Sequence, residues 1–246
     1  MFGIERSRWR LDDLRRTIPW LSAYSLAGIS RALTRLGVSR KRGRFSVHSP
    51  DPAYRNKLER VEGALDRARE EPQRVSVVYG DEFTLFRQPS LGAVYAGRGV
   101  EPKALLSHQA NTRHRVSAAL DALTGRVTWT AGSKMGVKGL RYFLGELRSA
   151  YPERTMFLVW DNWPIHQHPE VLAKAAQLGI ELLWLPTYAP WSNPIEKLWR
   201  WIRQEVVHHH RLADRWAELK AQVAAFLVRF EHCSTELLCY VGLLPD

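Results

Sequence analysis

Cysteine is scarce: only Cys233 and Cys239 occur in 246 residues. Two thiols near one end make neither a metal-finger spacing nor a disulfide framework, so two reduced thiols in a cytosolic protein are expected. Long apolar runs are also missing. None approaches the ~20 residues of a membrane span, and the opening MFGIERSRWR lacks the apolar stretch of a secretory signal. A cytoplasmic protein with no membrane partner is expected. No internal repeat and no low-complexity tract is present, which excludes a solenoid array.

Positive charge is abundant. The chain carries 36 Lys and Arg against 25 Asp and Glu, a net +11, and such an excess points to an anionic partner. The excess is local. Residues 1–50 hold eleven basic residues against three acidic ones, a net +8, and the other 196 residues are only +3. A nucleic-acid backbone is the natural partner, because Lys and Arg gain affinity there by releasing counterions. A merely solubilising tail would not also need apolar spacing, and this segment has it.

In YSLAGISRALTRLGVSRKRGR (24–44), Ser25 suits a helix cap. Leu26, Ile29, Leu33 and Leu36 fall at helical spacing, and Gly37 suits the position just past the end. Arg31 and Arg35 lie one turn apart, largely off that apolar face. Arg40, Lys41, Arg42 and Arg44 continue the basic strip. An earlier helix, RWRLDDLRRT, stops before Pro19. Two short helices and a basic arm suit a helix-turn-helix-like DNA reader. The connection IPWLSAY is longer than a tight turn, so a plain helical pair fits nearly as well.

A linker, SVHSPDPAY, leads to a helix beginning at Tyr54, whose mixed charges favour packing on a core. From residue 74 the texture changes. RVSVVYGDEFTLF reads as a strand, and RVSAALDALTGRVTW as two strands joined at a Thr124-Gly125 turn. The residues between, 87–113, form a long excursion. KGLRYFLGELRSA is helical, RTMFLVWD is a strand apolar enough to be buried on both faces, and HPEVLAKAAQLG is a helix. IELLWLP is another buried strand, and NPIEKLWRWIRQEV and ADRWAELKAQVAAFLVRF are helices. This order predicts an α/β protein with a mixed five-stranded sheet: a meander feeding two crossovers.

Acids stand out at three places. Asp81 and Glu82 follow a run without charges, and Asp161 closes an apolar strand. A buried charge is costly unless paired or metal-bound, and ligand sites form at the carboxyl ends of strands in such sheets. Glu196 follows the last strand, in the first turn of the next helix. Hard divalent cations take oxygen ligands of this kind, and two of them can activate an attacking oxygen and stabilise a leaving one at a phosphodiester. Simpler roles exist for each acid. Glu82 can be the more buried of the first pair, or Asp81 can start a turn. Asp161 and Asn162 can cap a helix. Asn193, Pro194 and Glu196 match a capping box.

YGDEF, LVWDNWPIH and LPTYAPWSNPIEKLW closely resemble the catalytic motifs of DDE transposases of the mariner superfamily, in particular its bacterial insertion-sequence branch. Thirty-four residues separate Asp161 from Glu196, which is the spacing of that branch. The resemblance runs from about residue 9 to residue 230 and is strongest over 155–205. It implies a ribonuclease H-like fold in residues 74–246, preceded by a basic helix-turn-helix-like DNA-binding region (1–48) and a linker with a connecting helix (49–73). It implies Asp81, Asp161 and Glu196 as catalytic, metal-binding residues, with two Mg²⁺ or Mn²⁺ ions per site. It also implies double-stranded DNA as partner, both inverted-repeat ends and target, with a homodimer on DNA and a nucleoid location. Water would cut at the transposon end, and the freed 3′-hydroxyl would attack target DNA, usually at TA. Relatives usually carry a longer N-terminal region with two helix-turn-helix units. Only the second is recognisable here, which bears on end recognition more than on catalysis.

Neighbouring residues have weaker assignments. Asn162 and Asn193 can orient the acids. His166 lies in the DNxxxH tract of the family and can contact DNA or the metal-bound water. His108 is a fainter candidate, and His208, His209 and His210 read as a solvated, DNA-facing patch. Lys197, Arg200 and Arg203 can hold phosphates. Two other readings remain: a non-catalytic DNA-binding derivative of a transposase, and a structure-selective nuclease on the same fold.

Overall fold

A computed structural model describes residues 10–39 and 49–244. The chain divides into two compact units, Met1–Val47 and His48–Asp246.

In the first unit, α1 (Leu11–Thr17) and α2 (Leu26–Arg35) flank a short 3-10 turn at Pro19–Leu21. The Ser25 hydroxyl caps α2 by accepting from the Gly28 N–H at 3.1 Å. The positive φ of Gly37 (73°) closes it, as its composition predicts. Ile29 is buried, while Arg31 and Arg35 are exposed. Arg40, Lys41, Arg42 and Arg44 lie outside the described residues.

In the second unit, α3 (Tyr54–Glu70) precedes β1 (Val75–Phe86), β2 (Arg113–Asp121) and β3 (Val127–Gly132). Then come α4 (Val137–Ala150), β4 (Thr155–Trp160), α5 (Pro169–Gln177) and β5 (Ile180–Trp184). The unit closes with α6 (Ile195–Ile202), α7 (Trp216–Val228) and α8 (Thr235–Val241). The sheet order is β3-β2-β1-β4-β5. The meander pairs antiparallel, and β1-β4 and β4-β5 pair parallel. This is the mixed sheet the element order predicts.

Helices cover both faces. On one, α4 and α5 bury Leu140, Phe143, Leu144 and Val171 against Val78, Leu158 and Trp160. On the other, α3 packs Val61, Ala64 and Ala68 on Val75, Val77 and Val159. Farther along that face, Phe83 and Leu85 meet Ile195, Leu198, Trp199 and Ile202 of α6, with α7 and α8 behind. Burial on both faces explains why β4 reads as one apolar run.

Two boundaries differ from expectation. The helix expected over 193–206 ends as α at Ile202 and continues as a π-turn at Arg203–Val207. Asp81 and Glu82 lie past the middle of a 12-residue strand rather than at its end. The strand runs on because β2 pairs with it as far as Phe86↔Arg113, whereas β4 pairs only as far as Tyr79↔Val159.

Candidate active site

Strand register sets the first two acids. Tyr79 pairs with Val159, so Asp81 and Asp161 stand two residues beyond the last pair on neighbouring parallel strands. Side chains alternate along a strand, so both acids rise on the face of Tyr79 and Val159. α6 enters on that same face and brings Glu196. The three acids line one cleft of about 330 Å³ together with Asn162, Trp163, Leu185–Pro190 and Asn193. Glu82 points the other way, into the opposite face.

Both aspartates are held by ring N–H donors. Trp199 Nε1 donates to Asp81 Oδ2 at 2.8 Å, and Trp199 itself stacks on Phe83 at 5.4 Å. Asp161 Oδ1 accepts from the Trp163 N–H at 3.0 Å and lies 2.8 Å from His166 Nδ1. Glu196 has no hydrogen-bond donor among the described residues. Trp199 is a site residue that sequence reasoning missed. Its helical spacing marks it as core, and nothing local shows that its indole N–H faces an acid.

The electrostatics follow from crowding. Burial, then the charges of Glu196 and Glu82, push Asp81 up to about 8. Burial also raises Glu196, with Asp161 adding to it and Arg203 and Arg200 opposing. Burial works to raise Asp161 too, but His166 and the Trp163 N–H outweigh it and leave it lowered. Burial would lower His166, yet bonds to Asp161 and Glu82 raise it to about 9. Each ring nitrogen faces a carboxylate, so the ring donates from both.

The capping-box role of Glu196 fails. Pro194 occupies the cap position of α6 without a side-chain bond, and the Asn193 amide turns away to donate to the Gly80 carbonyl at 3.1 Å. Asn193 thus ties the start of α6 to β1 beside Asp81. The Asn162 amide donates to the Leu185 carbonyl, joining the ends of β4 and β5 below the cleft. His166 is fully buried, so it contacts neither DNA nor a metal-bound water. It is stacked 3.8 Å from Trp160.

The basic candidates separate. Arg200 and Arg203 are exposed and act electrostatically on Glu196. Lys197 is not a free phosphate-holding group, because its ammonium donates to the Val241 carbonyl at 2.7 Å and closes the end of α8. The three histidines are not a solvated patch. His208 bonds Ser90, His209 bonds the backbone of Gly92, and His210 accepts from the Leu212 N–H. His208 and His209 fasten the excursion between β1 and β2, whereas His210 bonds within its own turn. His108 is exposed on that excursion.

Among the described residues, no three His, Cys, Asp or Glu side chains are drawn close enough to hold an ion as they stand. The donor set nevertheless fits a divalent cation. Its ligands are carboxylate oxygens, and a cation offsets both the burial and the mutual repulsion that raise Asp81.

Fold and cleft together define a class: an α/β protein with an acidic cleft at the carboxyl ends of its parallel strands, suited to metal-assisted chemistry. The family follows from comparison. Residues 76–220 match the family model "DDE superfamily endonuclease". The match spans more than half of the chain, and the chain belongs to that family. An "Insertion element IS630 uncharacterized 39 kDa protein" from Shigella sonnei is 27% identical over 223 residues, which are 89% of this chain and 64% of that protein. The chain therefore spans about two thirds of its relative's length. Among solved structures, the Mos1 mariner paired-end complex with Mn aligns with a TM-score of 0.64 at 18% identity, over 100% of this chain and 78% of that one. The Mos1 transposase paired-end complex with the left transposon end aligns at 0.62 and 16%, over 99% and 76%. These likenesses show the fold, the ribonuclease H-like architecture that the motifs imply. No helix among the described residues is long and apolar enough to cross a membrane.

Proposed function

We propose that this chain is a DNA transposase that cuts transposon ends and joins them to target DNA. One observation carries the reading: carboxylates from β1, β4 and α6 converge on one cleft beside Arg200 and Arg203. Asp81, Asp161 and Glu196 would hold two Mg²⁺ or Mn²⁺ ions. When bound, such ions supply activation of the attacking oxygen and neutralise charge at the scissile phosphate.

The chain's own groups do the rest. Trp199 and His166 each fix one oxygen of an aspartate, leaving the other oxygen to the cleft. Arg200 and Arg203 offset the phosphate's charge at the rim. In cutting, water attacks the phosphorus and the P–O3′ bond breaks, leaving a 3′-hydroxyl and a 5′-phosphate. Joining exchanges one phosphodiester for another, so it needs no external energy source. The basic N-terminal unit would hold the inverted-repeat end. Two ends must meet, which favours a homodimer on DNA in the bacterial nucleoid, with TA as the target habit of the superfamily.

A strand-joining assay tests this. Duplexes carrying the terminal inverted repeat with a free 3′-hydroxyl are incubated with plasmid and Mn²⁺. Covalent joining, concentrated at TA, is expected. Nicking without joining would make the protein a nuclease instead. Binding with neither would make it a non-catalytic derivative.

A further inference from the structure

We infer that Glu82 and His166 form a buried positioning pair that sets the orientation of Asp161 for metal binding. The inference rests on the reading of the cleft given above. Glu82 follows Asp81 directly, so strand alternation sends it to the opposite face of the sheet. There its side chain is 7% exposed. Its Oε2 lies 3.0 Å from His166 Nε2, and its Oε1 accepts from the Ser117 hydroxyl at 3.3 Å.

The imidazole between the two acids has little freedom. It is sandwiched face-on against Trp160 at 3.8 Å and edge-on to Trp163 at 5.4 Å. Its other nitrogen, Nδ1, meets Asp161 Oδ1 at 2.8 Å. The result is a continuous chain, Ser117–Glu82–His166–Asp161, running from β2 through β1 to the end of β4. Asp161 is half-exposed and stands past the last paired residue of its strand, so the sheet alone does not fix its carboxylate. The imidazole and the Trp163 N–H together hold Oδ1, which leaves Oδ2 without a donor among the described residues on a side chain that lines the cleft.

This arrangement differs from a bland buried salt bridge in what it aims. A histidine placed for stability alone needs one satisfied partner. Here an anchor on one strand, fixed by a hydroxyl, orients a donor that ends on a ligand carboxylate. Groups that orient metal ligands in this way typically change metal affinity by about 10- to 100-fold when removed.

The test compares wild type with His166→Ala, His166→Asn and Glu82→Ala in the full chain. Mn²⁺ affinity is measured by calorimetry, thermal melting is recorded separately, and the Mn²⁺ concentration for half-maximal plasmid nicking is read in parallel. His166→Ala should weaken Mn²⁺ binding by at least ~10-fold. His166→Asn restores a donor near the Nδ1 position, and binding should recover to within about threefold. Glu82→Ala should fall between them. The inference is overturned if His166→Ala and Glu82→Ala melt lower but bind Mn²⁺ within about twofold of wild type. If His166→Ala does not fold, Glu82→Ala decides, since it leaves the ring in place. Glu196→Gln is run alongside. If it too binds and nicks like wild type, the reading of the cleft fails, and the positioning role with it.

Discussion

Asp81 is the residue where burial and charge conflict most. The unfolded chain titrates it near 3.8, and the folded protein near 8. Between those values the folded state holds a proton that the unfolded state has released, so metal-free stability falls as pH rises through that window. His166 acts in the same direction at the upper end. Its folded value of about 9 lies above the ordinary 6.5, so its stabilisation is complete below pH 6.5 and lost as pH rises through 9. Asp81→Asn removes the first component. In EDTA at pH 8 its Tm should exceed that of wild type by about 3 °C or more, and the gap should close near pH 4. Scanning calorimetry at both pH values checks this, and an unchanged gap would contradict it. Not every residue role was legible. The three acids stand out in sequence because charges beside apolar strands need a reason. The role of His166 does not, because its two carboxylates come from separate strands. Lys197 reads as a rim cation and is instead fixed to Val241 on another helix.

At the scale of elements, the strands and helices were legible wherever burial leaves a pattern: an unbroken apolar run in β4, and helical spacing in α6. The end of β1 and the π-turn after Ile202 were not, since pairing partners and packing set them. The loop Leu185–Pro190 shows how such contacts build the site. It lacks a strand of its own and is fastened from behind. Asp51 Oδ2 accepts from the Thr187 N–H at 2.9 Å and from Lys57 at 2.7 Å, and the Ser49 hydroxyl donates to the Thr187 carbonyl. The Asp51 carboxyl is accordingly held well below the usual range, first by Lys57 and then by Thr187. Asp51→Ala should speed amide hydrogen exchange in residues 185–190 by about 10-fold while leaving β4 protected. Exchange unchanged in that peptide would show that the loop is held by other contacts. A different element shows why Gly125 is glycine: its φ is +70°, and an added Cβ would meet the Ser234 carbonyl oxygen at 2.3 Å.

At the scale of the whole molecule, the charge divides the labour. The first 50 residues carry most of the basic excess, and the second unit carries the acidic cleft. Arg31 and Arg35 are exposed on α2, where they can meet phosphates. Replacing both by alanine should weaken binding to any duplex and lower the slope of log affinity against log salt by about 2. A salt titration by fluorescence anisotropy reads that slope, and an unchanged value would remove these two residues from the interface.

The central claim is that Glu196 acts as a metal ligand, a role that the failed helix cap leaves open to it. The most direct test is Mn²⁺-dependent nicking of supercoiled plasmid by wild type and by Glu196→Gln, purified identically. The account predicts that wild type nicks, that EDTA stops it, and that Glu196→Gln is slower by at least about 10³-fold. Equal nicking by both proteins would contradict it.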